Sequence, residues 1–263
     1  MDPRDRFSNR ADDYDRYRPG YPRALVSLIA ERCGLRPGHS VADIGSGTGI
    51  LTDLILEHGN RVYAVEPNGP MREAAERRLG GRPGFFSVDG TAEATTLLAS
   101  SVDLVVAAQA FHWFEPRATR DELRRILRAP GWVALIWNER PRQATGFEAA
   151  YEALLERHAI DYAAVDHRRV DAARVDEFFH PARAERIVLS NSQSLDRAGL
   201  AGRVRSCSYV PAAGAPGYGA MMGDAGALFD ERQVGGVVVL NYETIIYLGA
   251  LRPGPGRGAP PRA

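Results

Sequence analysis

The chain has 263 residues, 44% hydrophobic and 25% charged, and its 33 basic side chains, all arginine, balance 33 acidic ones. With no lysine there is no Schiff base for pyridoxal or aldolase chemistry and no phosphate-loop G-K-[ST], since arginine does not titrate as a nucleophile. Balanced charge argues against a nucleic-acid partner, and two cysteines 174 residues apart, Cys33 and Cys207, make neither a disulfide framework nor a thiolate zinc site. The apolar runs Leu104–Ala108 and Trp132–Trp137 are too short to span a membrane, and the charged start from Met1 to Arg6 does not read as a secretory signal. A cytoplasmic monomer or homodimer is the expectation.

In chain order, Ser40–Ile44 reads as a strand and Ile50–Glu57 as a helix with Leu51, Leu54 and Ile55 on one face, stopped by Gly59. Arg61–Glu66 is a second strand, Gly69–Leu79 a second helix, Phe85–Val88 a third strand and Asp103–Ala108 a fourth. Pro116–Leu127 is a helix with proline in its first turn, ended by Pro130-Gly131, and Trp132–Trp137 is the fifth strand. Farther on, Phe147, Ala150, Tyr151, Leu154, Leu155 and His158 share one helical face, Arg186–Ser190 reads as a strand, Leu195–Val204 as a helix and Gly236–Leu248 as a final β-rich run. Strands alternating with helices predict an α/β fold: a Rossmann-like, doubly wound, mostly parallel seven-stranded sheet with a helical cap insertion.

The sharpest local feature is Asp43-Ile-Gly45-Ser46-Gly47-Thr-Gly49 between the first strand and helix. Glycines let this turn tighten and approach a ligand. Glu66 ends the next strand, 21 residues after Gly45, where a carboxylate grips ribose hydroxyls. A nicotinamide enzyme requires G-x-G-x-x-G, and Ile50 breaks that pattern. An acid two residues before the first glycine disfavours a pyrophosphate and suits a cationic, phosphate-free nucleoside such as S-adenosylmethionine.

These residues resemble the class I S-adenosylmethionine-dependent methyltransferases, from about Phe7 to Arg140 and more weakly from Arg186 to Leu251. Asp43–Gly49 looks like the first motif, Val65-Glu66-Pro67-Asn68 with Met71 the ribose and adenine-edge segment, Asp89-Gly90-Thr91-Ala92-Glu93 the adenine-amino loop, and Gln109–Phe114 the segment after the fourth strand. The opening Phe7-x-x-x-Ala11-x-x-Tyr14-x-x-Tyr17-Arg18-Pro19-Gly-Tyr21-Pro22 is similar to a branch of small-molecule methyltransferases that includes trans-aconitate methyltransferase-like proteins. The resemblance implies S-adenosylmethionine as cofactor, leaving as S-adenosylhomocysteine, without a metal. Asp43, Gly45, Ser46, Gly47 and Gly49 would line its methionine part, with Tyr17 and Arg18 closing on its carboxylate. Glu66 and Pro67 would hold the ribose. Asp89 would accept from the adenine amino group with Met71 packing on the ring, Gly90, Thr91 and Ala92 belong to the same adenine-amino loop, and Gln109 and Ala110, in the segment after the fourth strand, would also bind the cofactor. The chain then divides into an N-terminal helical lid (1–38), a cofactor-binding core (39–140), a helical cap insertion over the ligand-binding edge (141–182), strands completing the sheet (183–251) and a disordered tail (252–263).

Methyl transfer asks the protein to align the acceptor and exclude water, and a base helps when the acceptor carries an acidic proton. His112, at the carboxyl end of a central strand, is the first candidate base and Glu139 the second; packing between Phe111 and Trp113 is the competing role for His112. Phe111, Trp113 and Trp137, with Tyr14 and Tyr21 from the lid, are expected to wall a small-molecule acceptor or to form plain core. No H-x-E, H-E-x-x-H or clustered carboxylates of metal-ligand spacing occur, so no metal is expected. The expected activity is methyl transfer to a metabolite or natural product, on oxygen, nitrogen, carbon or sulfur. A non-catalytic S-adenosylmethionine-binding protein, or a methyltransferase acting on a macromolecule, is the alternative.

Overall fold

The computed structural model describes residues 11–141, 145–160 and 172–251. Phe7, the linker 161–171 and the tail from residue 252 lie outside the described residues. Among those described, seven strands form one sheet: β1 Ser40–Ile44, β2 Arg61–Val65, β3 Phe85–Val88, β4 Val102–Ala108, β5 Leu127–Glu139, β6 Glu185–Leu195 and β7 Val238–Ala250. Their order is β3-β2-β1-β4-β5-β7-β6. Only β7 runs against its neighbours, pairing antiparallel with β5 and β6. The strand order therefore reverses between β1 and β4, which opens a crevice at their carboxyl ends.

The helices are α1 Ala11–Tyr17, α2 Ala24–Cys33, α3 Ile50–Glu57, α4 Gly69–Leu79, α5 Pro116–Ile126, α6 Gly146–His158, α7 Ala172–Phe179, α8 Arg197–Arg205 and α9 Tyr218–Arg232. Their ends are written locally. Asn68 caps α4 by accepting from the Met71 amide at 3.0 Å, and Glu115 caps α5 by accepting from the amides of Arg117 and Ala118. Proline stands in the first turn of both.

Three cores follow. On one face of the sheet, Leu25 and Ile29 of α2 and Leu51 and Ile55 of α3 pack on β1, β2 and β4. On the other, Leu123 and Ile126 of α5 and Val175, Phe178 and Phe179 of α7 meet Phe111 and Trp137. The third core lies beyond the sheet proper and joins α6, α8 and α9 to the far ends of β6 and β7 through Tyr151, Leu155, Leu200, Val204, Met221, Leu240 and Tyr242.

This arrangement revises the expected division of the chain. Helix α7, placed in the 141–182 cap by sequence, belongs to the sheet's own helical layer. Its Val175, Phe178 and Phe179 form an apolar stripe too large to leave wet, and a Cβ on Gly249 of β7 would meet the Phe179 ring at 2.7 Å. The helices outside the sheet's own layers are α6 and, inserted between β6 and β7, α8 and α9, which share one core. Helix α9 is absent from the sequence reading, because Gly219, Gly223 and Gly226 lower its helix propensity while Met221, Ala225, Leu228 and Phe229 supply its buried face. The supposed stop at Pro130-Gly131 is absorbed as an irregularity within β5, where the register against β4 shifts between Val102 and Leu104. At the amino end, α2 is part of the first core, and only α1 stands apart, packed on α4 and α8.

Candidate functional site

The β1–α3 loop is built for close approach. Gly45, Gly47 and Gly49 all have positive φ, and a Cβ on Gly45 would meet the Ala110 Cβ at 2.7 Å. Gly45 thus lets the loop lie against the β4 segment. Gly49 serves packing instead, since a Cβ there would meet Leu79 of α4 at 2.6 Å. The carboxylate of Glu66 organises the surroundings, accepting from the Gly47 amide at 2.8 Å and the Asn68 amide at 2.9 Å.

Asp43 is the most conspicuous charge. It is 1% exposed; one oxygen accepts from the Thr52 hydroxyl at 2.7 Å, and the other is buried with no hydrogen-bond partner among the described residues. Burial, reinforced by the negative charge of Glu66, pushes its carboxyl up to about 7. A buried carboxylate left half-satisfied in this way is a natural seat for a cation.

In front of the loop lies a cavity of about 310 Å³. Gly45, Glu66, Pro67, Asn68 and Met71 line one side, Thr91, Ala92 and Glu93 the far end, and Ala108, Gln109 and Ala110 the floor. His112, Trp113 and Phe114 form the opposite wall, with Tyr14 and Arg18 closing it from the amino-terminal segment. Arg18 donates to the Ser206 carbonyl at the end of α8 at 2.9 Å, its guanidinium lies 4.8 Å from the Tyr14 ring centroid, and its Nε is buried without a partner among the described residues. A smaller recess behind the loop brings Tyr14, Tyr21, Asp43 and Ser46 together. His112 is mostly buried, and burial together with the charge of Arg174 lowers its imidazole to about 4, so it is neutral near pH 7.

Several residues singled out by sequence lie elsewhere. Tyr17 packs on α8, where a Cβ on Gly202 would overlap its ring, with the Arg205 guanidinium 5.8 Å from the ring centroid. The Asp89 side chain is 73% exposed and pairs with Arg72 at 3.2 Å, so Thr91 and Ala92 rather than Asp89 or Gly90 border the cavity. Phe111 and Trp137 are core: they pack on each other at 6.3 Å between ring centroids, and Phe111 packs on Phe178 at 4.8 Å. Glu139 lies opposite Glu243 in the β5–β7 ladder, away from the cavity. Tyr21 sits on the Asp43 side, where burial raises its phenol, rather than on an acceptor wall. Asn68, Glu93 and Ala108 join the lining beyond the residues assigned from sequence; Asn68 and Glu93 stand inside the quoted motifs, whereas Ala108, a small residue on a strand, carries no local signal.

Residues 42–135 match the family model of a methyltransferase domain, which contains the glycine loop, Glu66 and the His112 turn. Over that segment the chain is similar to methyltransferases, in line with the resemblance carried by its motifs. An uncharacterized methyltransferase of Mycobacterium tuberculosis is 37% identical to this one over 134 residues, 51% of this chain and 52% of its own. Another, from Schizosaccharomyces pombe, is 30% identical over 152 residues, 56% and 58% of the two chains. The chain spans about half the length of the curated relatives it matches. Among solved structures, a protein of Anaeromyxobacter dehalogenans named as a type II methyltransferase superposes with a TM-score of 0.68 at 25% identity, covering 90% of this chain and 99% of that one. A protein from an antibiotic biosynthesis pathway of Anabaena variabilis shares the fold with a TM-score of 0.56 at 20% identity, covering 89% and 99%. Among the described residues no helix is long and apolar enough to cross a membrane, and no group of three or more His, Cys, Asp and Glu gathers as a metal site.

Proposed function

We propose that this chain is a methyltransferase that moves a methyl group from S-adenosylmethionine to a small-molecule acceptor, a metabolite or natural product, in the cytoplasm, as a monomer or homodimer. The observation that supports the reading is the buried, unpartnered oxygen of Asp43 in a recess that shares Tyr14, Gly45 and Ala108 with the cavity of about 310 Å³. A sulfonium nucleoside with an ammonium tail fits that charge, and a pyrophosphate does not. The cofactor, when bound, supplies an electrophilic methyl group. Asp43 would accept from the ammonium, Glu66 would accept from the ribose hydroxyls, and Thr91, Ala92 and Met71 would surround the base. Arg18 is the cation available to the carboxylate.

The acceptor would enter beside His112 and Trp113. Trp113 and Phe114 exclude water from the line of transfer. The neutral His112 imidazole takes the acceptor's proton. Its low proton affinity suits an acceptor whose proton is itself acidic, such as an activated phenol, better than an aliphatic alcohol, and a carboxylic acid, already ionised near pH 7, would need no base. Balanced charge supports a small acceptor over a nucleic acid.

The test is tritiated-methyl transfer against a panel of carboxylic acids, phenols, amines and thiols, with RNA and protein as controls. Label in an acidic small molecule is the expected result. Label only in RNA or protein would replace the acceptor assignment, and cofactor binding without label in any fraction would make the chain a non-catalytic binder.

A further inference from the structure

We infer that Arg174 of α7, which is outside the cofactor cavity, is a positioning residue for the reaction: it clamps the turn that carries His112 and supplies the positive charge behind the imidazole. The inference rests on the transferase reading above for its kinetic consequence, but not for its geometry.

His112 is the middle residue of a single 3-10 turn, Phe111–Trp113, entered through Gln109 at φ 55° and held by two backbone bonds, Trp113 amide to Ala110 carbonyl at 2.9 Å and Phe114 amide to Phe111 carbonyl at 3.2 Å. So short a turn has little stiffness of its own. Arg174 grips it at both ends. Its Nη2 donates to the Phe114 carbonyl at 2.8 Å, and its guanidinium carbon lies 5.4 Å from the Phe111 ring centroid. The anchor is rigid, because Val175 and Phe178 on the same helix are buried against that core.

Charge supplies the second half of the argument. Among the described residues Arg174 makes no ion pair with a carboxylate, and its charge also reaches Glu115, whose carboxyl it helps to lower after the capping amides of Ala118 and Arg117. Glu115, three residues beyond His112, spends its carboxylate on capping α5. The other ionisable groups lining the same cavity are Glu66, Glu93, Tyr14 and Arg18, and the Glu93 carboxylate is engaged by the Glu115 amide at 2.9 Å. Burial is the larger cause of the ring's lowered proton affinity and the charge of Arg174 adds to it, so the ring is neutral through the physiological range.

The test compares Arg174→Gln and Arg174→Lys with the parent. In ligand-free protein carrying ring-labelled histidine, Arg174→Gln should shift the His112 titration upward toward the ordinary histidine range, and Arg174→Lys, which keeps the charge, should restore most of the parent value. In turnover assays Arg174→Gln should lower kcat by roughly 10–100-fold, as expected for a misplaced catalytic group, with S-adenosylmethionine affinity changed less than about twofold. Lysine should rescue kcat in part. An unmoved His112 titration in the glutamine variant would overturn the inference. So would equal losses in cofactor affinity and kcat, the mark of general loosening. Failure of the methyltransferase reading itself would show as absent turnover in the parent, while the titration arm still reports on Arg174.

Discussion

The residue that decides the account is Asp43, and its cost is measurable. A carboxyl held at about 7 in the folded chain, against about 4 unfolded, favours folding most below the unfolded value, and that contribution is lost as pH rises through 7. Ligand-free protein therefore loses stability between about pH 4 and pH 8 through this group. The variant Asp43→Asn should be more stable than the parent at pH 8, by about 1–3 kcal/mol, and no more stable at pH 4, read from denaturant melts at the two pH values. It should also bind S-adenosylmethionine roughly 10–100-fold more weakly. A variant less stable than the parent at both pH values would mean that the carboxylate is a structural partner of Thr52 and nothing more. The neighbouring Gly45→Ala is predicted to fail differently. Its Cβ must displace Ala110 while the backbone sits at φ 68°, so a loss of about 1–3 kcal/mol is expected, with cofactor binding lost as well.

At the scale of elements, the joint between α1 and α8 sets how the amino-terminal segment meets the helices inserted between β6 and β7. Tyr17 packs on Gly202, its carbonyl accepts from Gln193 at 3.0 Å, and the next residue, Arg18, reaches the Ser206 carbonyl. Gly202→Leu should push α1 off, raising proteolytic cleavage near Arg16 and Arg18 and weakening cofactor binding, while the sheet's melting transition changes little. Intact protease resistance would show that α1 is held by its α4 contacts, such as the Asp15–Arg78 ion pair, instead. This joint also shows what sequence reveals and what it hides. The Asp43–Gly49 loop was legible because its conformation is dictated by its own glycines. Tyr17 and Arg18 are adjacent in a motif, yet one faces α8 and the other lines the cavity. Only the packing of a helix whose partner is 185 residues away, Gly202 against Tyr17, decides between them.

Strands hide direction in the same way. Trp137 and Ile136 are neighbours on β5, and alternation sends Trp137 into the α5–α7 core and Ile136 into the α2–α3 core. Proximity to the strand's carboxyl end is therefore not access to the cavity, and Glu139 misses it because β5 continues in its ladder with β7 as far as that residue. His112 and Trp113 do reach the cavity because the chain has left β4 and turned.

At the scale of the whole molecule, the alternation of strands and helices was enough for the sheet, since each β–α unit buries a pattern written in its own residues. The third core was less legible. It is shared by α6, α8 and α9, which come from two insertions separated by α7 and β6, and no local pattern links Tyr151 to Met221 or Tyr242. The absence of lysine, which first served to exclude chemistries, also fits the finished molecule: the cations near the cavity are arginines, Arg18 on its wall and Arg174 behind it.

The central claim is that the cavity and the recess adjoining it hold a cationic, phosphate-free nucleoside against an ionised Asp43. Calorimetric titration of the parent protein with S-adenosylmethionine and with NAD from pH 5.5 to 8.5 tests it most directly. Since binding requires the carboxylate to be ionised, the S-adenosylmethionine Kd should fall about tenfold per pH unit up to roughly pH 7 and then level off, with no measurable affinity for NAD. Tight NAD binding, or an S-adenosylmethionine Kd that ignores pH across this range, would contradict the account.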